Sequence, residues 1–134
     1  MTAFPLKIVT PDGIAYDGTA EELIVRTTTG DLGILAGHIN CVAPLGMGRA
    51  TILSEGKKRH GACIGGILSV VSGKVTLVPT TFEWSHKIDL ERAEAAYERA
   101  EKLLSDSNAS DTEIALAKAK LRRAMIRKSV ASYK

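Results

Sequence analysis

The spacing of apolar side chains along the chain changes its rule near residue 85. Before that point apolar positions come in short runs closed by turn residues. Phe4–Thr10 ends at Pro11-Asp12-Gly13, and Glu22–Thr28 ends at Thr29-Gly30-Asp31. Further runs are Arg49–Ser54, Ala62–Val71 and Lys74–Thr80, with Glu55-Gly56 and Ser72-Gly73 as the turn signals between them. Short β-type runs bounded by such turns read as strands. Many of them at close spacing, without intervening helices, predict an antiparallel β-sandwich or flattened barrel over residues 1–85. The pair Gly65-Gly66 inside an apolar run predicts a bulge or a close backbone approach.

From Lys87 onward the period lengthens. Leu90, Ala93, Tyr97, Ala100 and Leu104 mark one stripe of a helix that opens at Asp89, a good N-cap. Ser105-Asp106-Ser107-Asn108 breaks it, and Ser110 with Glu113 forms a capping-box pattern for a second helix carrying Ile114, Ala117, Leu121 and Ala124 on one face. All 12 glycines and all 4 prolines lie before residue 80, so nothing interrupts these helices. The expected fold class is α+β: a sandwich over 1–85 followed by a C-terminal antiparallel two-helix hairpin over 86–134. The hairpin's stripes are rich in alanine. Each buried methyl is worth roughly 0.8 kcal/mol, against about 1–2 kcal/mol per residue for ordering the backbone. The helices should therefore persist as helices while their docking is easily exchanged.

With 134 residues, 45% hydrophobic and 25% charged, the chain can fill one modest core but not two enzymes. Its six aromatic residues are scattered, which argues against a base-stacking platform. Cys41 and Cys63 form no CxxC pair and Met1–Ile8 has no charged-then-apolar run, so a reducing compartment is expected. Charges or glycines interrupt every apolar run short of the roughly 20 residues of a membrane span; membrane association is expected only through a partner. Residues 1–86 carry seven basic and seven acidic side chains and residues 87–134 eleven and eight, so the whole net charge of +3 sits in the hairpin. Lys118, Lys120, Arg122, Arg123, Arg127, Lys128 and Lys134 follow one another without an acidic residue. An acidic partner is implied, with a nucleic-acid-binding module as the alternative reading. A small enzyme built on Cys63 with His60 or His38 is disfavoured because Cys63 lies in an apolar run, where a buried inert thiol is the usual outcome; no metal-ligand cluster is evident.

The segment Gly30-Asp31-Leu32-Gly33-Ile34-Leu35-Ala36-Gly37-His38 resembles the turn-strand-turn signature of epsilon subunits of F-type ATP synthases. The resemblance continues through Thr10-Pro11-Asp12-Gly13, Gly65-Gly66-Ile67-Leu68-Ser69-Val70, Val75-Thr76-Leu77 and Ile88-Asp89-Leu90-Glu91-Arg92-Ala93, nearly the whole chain in order. Ala36 and Asn40 stand where such proteins commonly carry proline. The resemblance implies a non-catalytic rotor subunit of a proton-translocating ATP synthase that couples rotation between the catalytic head and the c-ring. Its partners would be the gamma subunit, the c-ring and the catalytic alpha and beta subunits. Its place would be the cytoplasmic face of the bacterial plasma membrane, or alternatively the stromal face of the thylakoid. It makes Asp31 and His38 the rotor-interface candidates, and the basic residues Lys118, Lys120, Arg122, Arg123, Arg127 and Lys128 the inhibitory helix.

The run Ile88–Ala93 is similar to the ATP-recognition motif of those epsilon subunits that bind ATP in the folded-down hairpin, and the resemblance adds Glu83 on the adenine side. Arg92 and Arg99 share a helix face at a spacing of seven, and Arg123 and Arg127 at a spacing of four. In an antiparallel hairpin four guanidiniums can converge on a triphosphate, whose oxygens their forked donors fit. The candidate ATP site is therefore Glu83, Ile88, Asp89, Arg92, Arg99, Arg123 and Arg127, with ATP a regulatory ligand and no cofactor obligatory. A phosphate-binding loop ending in GK[ST] is absent.

Overall fold

The structure, a computed structural model, describes residues 2–133. Eight strands come first: β1 Phe4–Thr10, β2 Gly13–Ala20, β3 Glu22–Thr27, β4 Gly30–Leu35, β5 Cys41–Pro44, β6 Met47–Ser54, β7 Lys57–Val71 and β8 Lys74–Trp84. A single 3-10 turn, Ser85–Lys87, leads into α1 (Leu90–Leu104) and α2 (Asp111–Ala131). The strands follow the order β2-β1-β8-β7-β6-β3-β4, with β5 added beside β7.

The 15-residue β7 explains how one sheet wraps into two layers. Its first half pairs with β6 from Lys57 to Ile64 and its second half with β5 from Ile67 to Val70. The partners change at Gly65-Gly66, where φ is +67° and +106°. A side chain at Gly66 would run into the carbonyl oxygen of Val78, and the freed groups bond the β5–β6 link instead: Leu45 N donates to Gly66 O at 2.8 Å and Gly65 N to Gly46 O at 3.0 Å. The close approach expected of the glycine pair is present. Phe4, Leu6, Ile8, Leu23, Val25, Ile34, Ile52, Leu68 and Leu77 fill the space between the layers, and every residue of this core lies between Phe4 and Trp84.

Three features depart from the sequence reading. β1 and β8 run parallel, pairing Leu6 with Val75 and Ile8 with Leu77, so the sandwich is antiparallel at every other pairing but not at this one. β2 was not expected, because as an edge strand it buries only Ala20 and shows no alternation. β5 has only four residues, with Val42 and Pro44 facing solvent.

The helices start where the caps place them. Asp89 Oδ1 accepts from Arg92 N at 3.1 Å, and Ser110 Oγ accepts from Glu113 N at 3.2 Å while its hydroxyl donates to Glu113 Oε1. The helices run antiparallel, with Leu103 near Lys120 and Ala96 near Arg127. Ala93, Ala100, Ala117 and Ala124 are the buried residues along the seam, with Val130 buried in the last turn of α2. Leu90 does not join the expected stripe; it stands 45% exposed at the first helical position.

Candidate functional site

The turn after β1, the end of β8 and the two helices enclose a cavity of about 530 Å³. Thr10, Pro11 and Asp12 form one wall, Thr80 to Glu83 the floor, and Lys87 to Asp89 the entrance to α1. Arg92 and Arg99 reach it from α1 and Arg127 from α2. The first turn of α1 thus opens on a space lined by four cationic side chains. Partial positive charge at a helix N-terminus and arginine forks both favour an anion there.

Six of the seven expected ATP-site residues, Glu83, Ile88, Asp89, Arg92, Arg99 and Arg127, line this one cavity. Arg123 does not. It lines an adjoining cavity of about 310 Å³, which it shares with Arg99 and Arg127. Its spacing from Arg127 fixes a helix face but not how α2 is rolled against the sheet, and here Arg127 is the residue turned to the floor. Arg127 Nε donates to Glu83 Oε1 at 2.6 Å, joining α2 to β8, with both side chains about a third exposed. Asp89 spends one carboxylate oxygen on its cap. Among the described residues, Arg92 and Arg99 make no ion pair. Lys87, Thr10 and Asp12 were missed by the sequence reading. The Thr10-Pro11-Asp12-Gly13 turn was singled out only as a turn, and nothing local shows that β8 brings it beside α1.

The rotor-interface candidates stand apart from this cleft. Asp31, near the start of β4, is held by Arg26 across the β3–β4 pairing, Nε to Oδ1 2.9 Å, with both side chains largely exposed. His38 follows β4 on the loop to β5, its Nδ1 bonded to Ile39 O at 2.8 Å. Around it the end of β4, the loop and β5 expose Leu35, Ile39 and Val42, and the sheet surface beside β5 continues to Ile67 and Val78, which pair across β7 and β8. This apolar surface was not singled out from the sequence. Asn40, in the place of a common proline, accepts from Ser72 N at 2.9 Å and ties the loop to the β7–β8 turn.

The basic residues of α2 divide. Lys118, Lys120 and Arg122 face solvent, whereas Arg123, Arg127 and Lys128 are half-buried, Lys128 Nζ lying 4.4 Å from the Tyr97 ring centre. Lys134, the last of the series, lies outside the described residues. Cys63 is buried in the core and burial pushes its thiol up to about 12. Among the described residues no three His, Cys, Asp or Glu side chains gather as a metal site, and no helix is long and apolar enough to cross a membrane.

Fold and cleft together define a β-sandwich with a helical pair folded against it over a cavity lined by Lys87, Arg92, Arg99 and Arg127 and by Asp12, Glu83 and Asp89. The family described as the ATP synthase, delta/epsilon chain, beta-sandwich domain matches residues 3–85, and the ATP synthase, delta/epsilon chain, long alpha-helix domain matches residues 86–132. The chain belongs to this ATP synthase delta/epsilon family. It is 42% identical over 135 residues to the ATP synthase epsilon chain of Ruminococcus albus, covering 100% of both, and 43% identical over 131 residues to that of Bacillus velezensis, covering 98% of both. The resemblance drawn from the motifs is thereby borne out. The fold also recurs in a chain of the Euglena gracilis mitochondrial ATP synthase (OSCP/F1/c-ring), with TM-score 0.82 and 23% identity over 92% of this chain and 78% of that one. A chain from the Tetrahymena thermophila mitochondrial ATP synthase central stalk and c-ring superposes with TM-score 0.64 at 13% identity, covering 95% of both.

Proposed function

We propose that this chain is a non-catalytic central-stalk subunit of an F-type, proton-translocating ATP synthase, coupling rotation of the catalytic head to the c-ring and braking ATP hydrolysis with its helical pair. Its partners on this reading are gamma and the c-ring for the sandwich, and the catalytic alpha and beta subunits for the basic last helix. The complex lies on the cytoplasmic face of a bacterial plasma membrane. The apolar surface around His38, exposed in the isolated chain, suits burial against a rotor partner.

The regulatory role rests on one observation: the cation-lined cavity has walls from the sandwich and from both helices, so it exists only while the helices lie down. An ATP triphosphate held by Arg92, Arg99 and Arg127 stabilises that state and no other. Moving a two-state population from 1:99 to 99:1 needs about 5.5 kcal/mol of differential affinity. Charge-assisted hydrogen bonds worth about 1.5–3 kcal/mol each supply that order from two or three contacts. When ATP is scarce the helices leave, and the basic helix reaches acidic segments of the catalytic subunits.

The test is hydrolysis by a reconstituted complex whose chain ends after Leu104. Faster hydrolysis at low ATP than with the full chain is expected. Equal rates would remove the brake and leave the coupling role standing.

A further inference from the structure

The end of α2 meets the sandwich through contacts that the nucleotide cavity does not use. Val130 is buried. Just past the helix, the Tyr133 ring has the Arg49 guanidinium 3.9 Å from its centre and the His60 imidazole 5.0 Å away, tilted by 50°. The receiving surface is fixed by strand pairing: Arg49 lies on β6 opposite Ala62, and His60 lies on β7 opposite Thr51. The imidazole Nδ1 bonds the Thr51 hydroxyl at 3.0 Å, and Thr51 is itself buried. A rigid seat thus meets the tip of a helix otherwise docked through alanines and one partly exposed ion pair.

We propose that Tyr133, seated against Arg49 and His60, is a catch that holds the helical pair down on the sandwich, and that a proton on His60 releases it. The inference rests on the reading of the pair as movable. A guanidinium over a tyrosine face is an attractive arrangement in its own right, and it acts at the opposite end of α2 from the hairpin bend, where it has most leverage on the helix.

Among the described residues, His60 faces Arg49 on β6, Lys58 and Arg59 on β7, His86 on the turn before α1, and Tyr133 beyond α2. None is acidic. Burial first, then Arg49 and Lys58, hold its pKa below the ordinary 6.5. Arg49 and Lys58 belong to the sandwich and stay when the tail leaves, whereas the Tyr133 ring beside the imidazole leaves with it, so the tail's share of the burial is what differs between the two states. His60 binds a proton less well when caught than when released. The catch is therefore complete above the released imidazole's pKa and weakens as pH falls through it.

The full chain, free of nucleotide, is the sample. NMR follows the His60 ring titration and the protection factors of the Ala124–Ala131 amides, corrected for intrinsic exchange, with the strand amides as the folding control. Tyr133→Ala should raise the His60 midpoint and lower α2 protection about tenfold, the size of one cation–π contact. In the unaltered chain α2 protection should fall as pH drops below about 6.5, the ordinary imidazole pKa, because Arg49 and Lys58 hold the released imidazole below that value too, and His60→Gln should abolish that fall. If Tyr133→Ala changes neither quantity, the catch is wrong. A pH response that is absent, or that persists in His60→Gln, overturns the release step. A catch that behaves as described while Tyr133→Ala leaves hydrolysis by the assembled synthase unchanged would count against the brake, not the catch.

Discussion

Arg127 carries the most weight of any single residue, because among the described residues it is the α2 side chain that lines the main cavity and bonds Glu83 on its floor. Its pair with Glu83 is partly exposed, and such pairs contribute about 1 kcal/mol or less, so the pair alone does not pin the helix. A triphosphate offers the same guanidinium a more highly charged partner. Arg127→Ala should weaken ATP binding by the isolated chain about 10–100-fold, the equivalent of one charge-assisted hydrogen bond. Arg122→Ala, at an exposed position outside the cavity, should leave affinity unchanged; titration calorimetry on both variants reads the contrast. Equal losses would mean bulk positive charge rather than a built site. The cysteines offer a second contrast at this scale. Cys63 is buried with its thiol near 12, so almost none is thiolate at pH 8, whereas Cys41 is half-buried on the surface strand β5. Iodoacetamide at pH 8 followed by mass spectrometry should label Cys41 and spare Cys63 until the chain is unfolded.

At the level of elements, the sequence revealed what is decided locally. The caps at Asp89 and Ser110 were legible because an N-cap bonds a backbone group two or three residues away. The glycine pair in β7 was legible because only glycine tolerates such a backbone approach. β2 escaped because an edge strand with one buried side chain has no period to detect, and the parallel β1–β8 pairing because the same apolar run serves either direction. Of the candidate site, the α1 residues were readable from one motif. Arg123 lies in the adjoining cavity rather than the main one because its position depends on the roll of α2, which tertiary packing sets. The alanine seam is the element that sequence reading described best, and its consequence can be tested. Ala117 is 1% exposed between the helices, and leucine there adds three carbons where no space exists. Overpacking of this kind costs about 1–3 kcal/mol, enough to separate a pair of helices that bury little else. Ala117→Leu should lower amide protection along α1 and α2 and weaken ATP binding, with strand protection unchanged. Loss of protection in both regions would show the seam to be integral to the sandwich's own stability.

For the whole molecule, the decisive fact is that the core is assembled entirely from residues between Phe4 and Trp84. Among the described residues the helices meet the sandwich through Val130, Tyr133, the Arg127–Glu83 pair and the lining of the clefts between them, and none of these joins the core between its layers. The sandwich and the helical pair are thus stabilised by separate sets of contacts, so a lever of the kind proposed can move without melting the body. Trp84 reports on the boundary. It lies at the last position of β8, buried against Phe82 edge-on at 4.9 Å and covered by Arg59 at 3.8 Å, all within the strands and the turn beside them. A chain ending at His86 should therefore unfold cooperatively, with Trp84 fluorescence marking a single transition within a few degrees of that of the full chain, since a loss of about 1 kcal/mol moves Tm by roughly 4–8 °C in a domain this small. Residues 87–134 alone should be less helical than in the full chain, because a seam of methyl groups has no sandwich to lie against. A truncated sandwich that loses its cooperative transition would show that lever and body share one core, and a brake that works by lifting the helices away would then have to unfold the subunit it belongs to.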